Sequence, residues 1–250
     1  MAPNINSAGW SCIEFISDLH LQALEPETAN AWFDYMASTS ADAIFILGDW
    51  FEVWVGDDDD DAFVARCAEV MQAKAKKSKL FIMHGNRDFL IGKDFATRCS
   101  ATLLEDPTIL TFNGQSYLLT HGDALCTSDL DYMQFRSVVR TKEWQQSFLA
   151  KPLTERKEIA RQLRAQSQAK HGTSIDYTDV NEDLAVEWLN LNHCQAMIHG
   201  HTHKPASHTM STIKGASFAR HVLSDWDAVS NPPRLQVLRL DANGISRESI

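Results

Sequence analysis

Carboxylates, imidazoles and a carboxamide recur in five short segments of this chain: Asp18-Leu19-His20, Gly48-Asp49, Gly85-Asn86-Arg87-Asp88, His121-Gly122-Asp123 and Gly200-His201-Thr202-His203. Each follows a short apolar run of strand character, so the donor groups arrive at strand ends with glycines beside them. Oxygen and imidazole donors suit hard divalent cations such as Mn2+ or Mg2+ in near-octahedral surroundings. Two such ions, about 3.5–4 Å apart, cleave phosphoesters and need a carboxylate shared between them. Asp49 is best placed to bridge, because Gly48 lets the backbone turn tightly at the strand end. Asp18 and His20 are two apart and face alike if the chain stays extended, so both can reach one ion. His201 and His203 have the same spacing and could supply one ligand to each ion. Asn86 contributes a neutral oxygen, which limits negative charge where an anionic phosphate must bind, and His121 completes the second ion.

The elements that must position these groups alternate along the chain. Residues 13–16 read as a strand ending at Asp18, and residues 26–38 carry Ala29, Trp32, Phe33 and Met36 at helical spacing. A buried strand over 43–47 ends at Gly48-Asp49, a helix spans 60–77, and a strand over 80–83 runs into His84-Gly85-Asn86. Strands at 101–105, 108–112 and 116–120 follow, with Asn113-Gly114 as a hairpin turn. A helical stretch from about 129 to 192 interrupts the strands, which resume at 195–198, 207–213, 218–223 and 234–240. No internal repeat or low-complexity linker occurs. The pattern predicts one α/β domain over residues 1–250 with a helical insertion between two ligand-bearing strands.

With 250 residues and a hydrophobic fraction of 44%, the chain can bury a sizeable core. No apolar run is long enough to span a bilayer, and Met1 to Ser11 lacks a signal-peptide pattern. Five scattered cysteines without a CxxC pair argue against a zinc knuckle or a disulfide framework, so a cytoplasmic setting is expected. A net charge of −10 argues against a generic nucleic-acid binder. The charge is uneven. From Arg136 to Lys170 nine basic residues face three acidic ones, which makes that stretch +6 and the remainder −16. Such a field points to an anionic ligand or surface, or else to a solvated helical face.

Together and in order, the five segments resemble the calcineurin-like metallophosphoesterase signature (D-x-H, G-D-x-x-E, G-N-x-D, H-G-D, G-H-x-H). The resemblance implies a β-sandwich flanked by helices (αββα). It implies one ion held by Asp18, His20, Asp49 and His203, a second held by Asp49, Asn86, His121 and His201, and a bridging hydroxide as nucleophile. The fuller wording is similar to the UDP-2,3-diacylglucosamine pyrophosphatases: Ser17-Asp18-Leu19-His20-Leu21, Gly48-Asp49-Trp50-Phe51-Glu52-Val53-Trp54-Val55-Gly56-Asp57-Asp58, Gly85-Asn86-Arg87-Asp88-Phe89-Leu90 and His199-Gly200-His201-Thr202-His203-Lys204-Pro205. That likeness implies release of UMP and 2,3-diacylglucosamine 1-phosphate (lipid X) in lipid A biosynthesis, with the insertion as an acyl-binding cap. It implies Mn2+, with Mg2+ as the alternative, and a peripheral place on the cytoplasmic face of a bacterial inner membrane. No protein partner is implied. Asn86, Arg87, Asp129, Ser167 and His201 fall at the family's substrate contacts, and Lys170 or His171 stands in for contacts whose register is shifted. Where many phosphatases carry Gly-Asn-His, this chain has Arg87, which cannot act as an acid near neutral pH but clamps phosphate oxygens well. A leaving nucleotide phosphate needs less protonation than an alkoxide, so the exchange fits a pyrophosphate substrate. Asp49, Asn86, Arg87 and His121 are thus the expected catalytic group.

Two other readings share part of this pattern. Another metallophosphoesterase, a nucleotide phosphodiesterase or a protein phosphatase, would keep every metal ligand and lack an apolar cleft. The insertion offers Leu130, Tyr132, Met133, Phe135, Val138, Val139, Trp144, Phe148 and Leu149 for such a cleft, interleaved with Arg136 and Arg140. A non-catalytic module of the same fold should have lost ligands, and this chain has a full set. Plainer roles are expected elsewhere. The run Asp57 to Asp61 reads as a solvated charge cluster before a helix. His171, His193, His208 and His221 lack ligand spacing, and Cys126 reads as a packing residue. Asp88 and Asp123 are expected to orient ligand histidines or loops, and Glu52 similarly.

Overall fold

A computed structural model describes residues 1–171, 179–211 and 215–250. After a short polar strand β1 (Asn4–Asn6), runs rich in apolar and β-branched residues form β2 (Cys12–Ile16), β3 (Ala43–Leu47), β4 (Lys79–Met83), β5 (Thr102–Leu104), β6 (Thr108–Phe112) and β7 (Gln115–Thr120). After the insertion come β8 (Ala196–His199), β9 (Ala206–Ser211), β10 (Ser217–Val222), β11 (Gln236–Asp241) and β12 (Gly244–Ser249). Helices α1 (Pro26–Ser38), α2 (Ala62–Ala75) and α3 (Lys93–Arg98) connect the first parallel strands. The insertion holds α4 (Leu130–Val139), α5 (Lys142–Leu149) and α6 (Leu153–His171), and α7 (Glu182–Leu191) leads back into β8.

The strands build two six-stranded sheets, ordered β1-β6-β7-β8-β10-β9 and β12-β11-β2-β3-β4-β5. Strands β2, β3 and β4 run parallel and are apolar at nearly every position, as central strands covered on both faces must be. One row of their side chains (Ile13, Phe15, Phe45, Phe81, Met83) meets Leu110, Phe112, Tyr117 and Ile198 of the other sheet. The opposite row, with Ile16, Ile44 and Ile46, packs under α1, α2 and α3. On the far side, α7 places Ala185 and Leu189 on Leu118 and Met197. The result is the helix–sheet–sheet–helix layering expected from the family resemblance. Three elements were not anticipated: β1, α3 and β12.

The acidic run lies before α2 with Asp58, Asp60 and Asp61 exposed, as expected, but it also makes specific contacts. Asp61 caps α2 by accepting the Phe63 N–H, and Asp57 receives the Gly92 and Phe95 N–H groups at the start of α3. Asp58 takes a two-pronged bond from Arg156, and Asp59 pairs with Lys157 at 2.8 Å. The run is therefore the seat on which α6 docks. Arg156, expected on a basic outer face, is 2% exposed and also donates to the Val55 and Lys151 carbonyls.

Candidate metal centre

Parallel order brings the C-terminal ends of β2, β3 and β4 side by side, and those of β7 and β8 face them from the other sheet. Ligands collect at such strand ends in α/β proteins. The loops are stitched by their main chains: Asp18 N–H donates to the Gly48 carbonyl, Leu19 and His20 to the Asp49 carbonyl, and Gly200 to the His121 carbonyl. Here the chain is not extended, as the two-residue spacing suggested. Asp18, His20, Asp49, His201 and His203 all take left-handed backbone angles, with φ of 54°, 47°, 52°, 68° and 52°. Alternating faces would have sent neighbours apart. These sharp turns converge the side chains instead.

The donors fall into two groups that share Asp49. On one side His20 Nε2 lies 3.4 Å from His203 Nε2 and 3.8 Å from Asp49 Oδ2, and His203 Nε2 is 3.4 Å from Asp18 Oδ1. On the other, His121 Nε2 lies 3.8 Å from Asp49 Oδ1 and 3.0 Å from Asn86 Oδ1, which is 2.8 Å from His201 Nδ1. Potential ligand atoms of Asp18, His20 and His203, and of Asp18, Asp49 and His121, each lie within 4.8 Å of one another. The outer ring nitrogens are already committed. His121 Nδ1 sits 2.9 Å from the Leu47 carbonyl and His20 Nδ1 2.8 Å from Glu52, so each Nε2 can present a lone pair inward. The residues present fit a pair of hard divalent cations. The close approach depends on missing side chains: a Cβ on Gly200 would collide with Asp18, and one on Gly85 with Asp49.

The field in the cluster favours positive charge. Burial works against a proton on His20, but Glu52, Asp49 and Asp18 outweigh it and raise its pKa to about 9. His121 rises to about 9 in the same way, burial being overcome by Asp49, Asp18 and Asp123. The carboxylates that hold those protons would equally hold cations. Asp18 stays ionised against its burial because His203, His121 and His20 surround it, whereas burial pushes Asp49 upward. His201 is driven down to about 3 by burial and by His121, so it is a neutral imidazole.

A second layer fixes the first. Asp88 accepts main-chain N–H bonds from Gly85 and Trp50, both at 2.8 Å, and so clamps the Asn86 and Asp49 loops together. Glu52 receives His20 and also faces Arg87 Nη1 at 3.6 Å and Arg164 Nη2 at 3.2 Å. The extended motif pointed to Glu52, whereas Arg164 stood only as one of nine basic residues in the insertion, with no signal for its partner. Asp123 anchors α4 through Tyr132 Oη, Arg136 Nε at 2.8 Å and Arg140 Nη2 at 3.4 Å. Arg140 continues to the Gly85 carbonyl at 2.9 Å. Cys126 is buried and its thiol pushed up to about 12, consistent with packing.

The expected cap contacts divide. Asp129 spends its carboxylate as the N-cap of α4, accepting the Tyr132 N–H at 3.0 Å. Ser167, Lys170 and His171 have side chains that lie outside the described residues. Among the apolar set of the cap, Phe135 and Val138 line a shallow pocket with Asp131 and Gln134. Val139 and Phe148 are buried, and Trp144 stacks on Phe148 beside Phe89. Leu130, Phe135, Val138 and Leu149 are exposed instead.

A family model described as calcineurin-like phosphoesterase matches residues 13–205. Among curated proteins, the chain is 47% identical over 218 residues to the UDP-2,3-diacylglucosamine hydrolase of Chromobacterium violaceum, covering 86% of this chain and 90% of that protein. It is 44% identical over 216 residues to the protein of that name from Cellvibrio japonicus, covering 85% and 90% of the two chains. With that of Pseudomonas aeruginosa it shares 39% over 234 residues, 92% of this chain and 95% of the other.

Proposed function

The chain belongs to the calcineurin-like phosphoesterase family, and on that premise we propose that it hydrolyses the pyrophosphate bond of UDP-2,3-diacylglucosamine to UMP and 2,3-diacylglucosamine 1-phosphate. One observation carries the reading: Asp49 stands between two donor groups, one oxygen 3.8 Å from His20 Nε2 and the other 3.8 Å from His121 Nε2, at the foot of a helical cap. The names of the curated relatives supply the substrate. Asp18, His20, Asp49 and His203 would hold one cation, and Asp49, Asn86, His121 and His201 the other, the imidazoles favouring Mn2+ over Mg2+ and the oxygen donors keeping the set suited to a hard ion. When bound, the pair supplies Lewis acidity and an activated water at neutral pH.

The chain's own residues do the rest. Asn86 presents its amide oxygen between His121 and His201, adding no negative charge where the diphosphate must lie. Arg87, fixed beside Glu52, places a planar fork of donors at the cluster's rim for the diphosphate oxygens. Glu52 holds the proton on His20 Nδ1 and so keeps Nε2 free to ligate. His201 stays neutral and cannot deliver a proton to the leaving group, which suits departure of a nucleotide phosphate. Asp129, Ser167, Lys170 and His171 remain proposed cap contacts.

We further infer peripheral association with an anionic cytoplasmic leaflet. Among the described residues no helix is long and apolar enough to cross a membrane. Exposed Leu130, Phe135 and Val138 on α4 offer an apolar face. Arg136, Arg140, Arg156, Lys157 and Arg164 are paired with acids of the sandwich, so the apolar side chains should contribute more than the basic ones. The reading is tested by UMP release from the diacylated substrate, from acyl-free UDP-glucosamine and from a simple phosphodiester, under Mn2+ and Mg2+. The diacylated substrate should be strongly preferred. Equal turnover of the acyl-free compound would sink the lipid reading in favour of a nucleotide-sugar pyrophosphatase.

A further inference from the structure

The helical insertion leaves the sandwich after β7 and returns before α7, and its two ends touch. On the outgoing side runs a 3-10 turn, Asp123–Leu125. On the returning side Asn181 donates its main-chain N–H to the Leu125 carbonyl at 2.8 Å and its side-chain amide to Thr127 Oγ1 at 3.2 Å. Asp179, at the same neck, meets Arg220 of β10 through both oxygens, Oδ1 to Nη1 at 2.8 Å and Oδ2 to Nη2 at 3.3 Å. Arg220 is 7% exposed, and a guanidinium so enclosed is tolerated only when its surroundings use it. Its Nη1 also lies 3.4 Å from His199 Nε2.

The state of His199 follows from its other contact. Its Nδ1 is 2.8 Å from the Gly200 carbonyl, which can only accept, so Nδ1 carries the proton and Nε2 turns a lone pair to Arg220. The ring lies behind both loops of the second donor group. A Cβ on Gly122 would stand 2.9 Å from His199 Nδ1, and the Gly200 N–H donates to the His121 carbonyl at 3.0 Å.

We propose that Arg220 is a positioning residue for the hydrolysis: it ties the neck of the cap, through Asp179, to His199, and so fixes the loops that present His121 and His201. Asp179 sets where the guanidinium lies, the guanidinium on Nε2 and the Gly200 carbonyl on Nδ1 together hold the plane of His199, and His199 braces Gly122 and Gly200. Placement of the cap and placement of two ligands are thereby one setting. This inference rests on the two-cation reading of the donor cluster.

The test uses the full chain, stripped with chelator and titrated with Mn2+ while free Mn2+ is followed by electron paramagnetic resonance. Turnover of UDP-2,3-diacylglucosamine is measured alongside. Wild-type protein should take up two ions. Arg220→Gln should weaken uptake of one ion about 10–100-fold, the range seen when a group behind a metal ligand is removed, and leave the other unchanged. Its kcat should fall at low Mn2+ and recover in part as Mn2+ is raised, and Arg220→Lys should lie between. Asp179→Asn, at a side chain that is 46% exposed, loosens the guanidinium without removing it; it should raise KM several-fold and weaken uptake of the same ion, by less than Arg220→Gln does. A purely structural pair would lower Tm in these variants but leave ion uptake and kcat of the folded protein untouched, and that result overturns the proposal. If Arg220→Gln does not fold, an unchanged KM in Asp179→Asn overturns it equally. Wild-type protein that takes up fewer than two ions overturns the two-cation reading, and this inference with it.

Discussion

Replacing Gly85 with alanine adds one methyl group at the closest approach in the site. A Cβ there would overlap Asp49 Oδ1 and the Asp49 main-chain nitrogen, and would lie 2.8 Å from Asp49 Cγ. Carbon atoms rest at roughly 3.5–4.0 Å, so the last contact alone demands a separation of about 1 Å. A new rotamer of Asp49 cannot relieve it, because a backbone atom is among those struck. The Asp49 and Asn86 loops must part, against Asp88, which accepts N–H bonds from both, and the Arg87 N–H bond to Asp49 Oδ1 at 2.8 Å. Misplacing a reacting group by about 1 Å costs on the order of 100-fold in rate. Gly85→Ala should therefore lose about two orders of magnitude in kcat/KM toward UDP-2,3-diacylglucosamine and bind Mn2+ more weakly, while keeping its far-ultraviolet circular dichroism. Gly114→Ala is the control. Its φ of 79° strains the backbone but no atom lies within 4 Å of the added Cβ, so it should cost about 1 kcal/mol of stability and no activity. A Gly85→Ala enzyme within tenfold of wild type, with two ions bound, would refute the contact analysis.

Two further outcomes are expected. Arg87→Ala should lose about two to three orders of magnitude in kcat/KM, the size of one preorganised donor, and Arg87→Lys should restore little because it lacks the planar fork; a loss under tenfold would reduce Arg87 to a support for Glu52. In chelator-stripped protein, His20 and His121 each have a pKa raised to about 9. Their contribution to stability is full below the unfolded value of roughly 6.5 and lost as pH rises through about 9. Tm of the stripped protein should therefore fall between those limits, while Mn2+ affinity rises as the competing protons leave; a flat Tm across that window would count against the assignment.

Much of the architecture was legible because its strands are buried on both faces. The apolar runs Ala43–Leu47 and Thr108–Phe112 and the amphipathic Pro26–Ser38 match the elements read from them. What escaped notice depends on tertiary partners. β1 (Asn4–Asn6) is a polar edge strand with one neighbour, and β12 is the other sheet's polar edge. α3 has only six residues, and its first turn is capped by Asp57 from a distant loop. At the site, residue types at strand ends announced the donors, but spacing could not announce the left-handed turns that aim them. Nor could it show that the acidic run meets α6, since Asp58 and Arg156 stand 98 positions apart. Charge counting left the partner of the basic stretch open for the same reason: composition records how many charges there are, not that Arg136, Arg140 and Arg156 face Asp123 and Asp58.

The left-handed turns at Asp18, His20, Asp49, His201 and His203 set folding against chemistry within single residues. Glycine would suit the backbone best at each of these positions, and glycine has nothing to offer an ion. Conformations of this kind cost of order 1–3 kcal/mol each, within a total stability of about 5–15 kcal/mol. A sizeable part of the fold's margin is thus committed to the strand ends before any ion arrives, and cations that bind only the folded chain restore it. With the ions held as proposed, metal supply would govern how long the protein survives as well as how fast it turns over. A cell short of the ion would hold a pool that is not merely idle but softened at its centre, open to proteases there first.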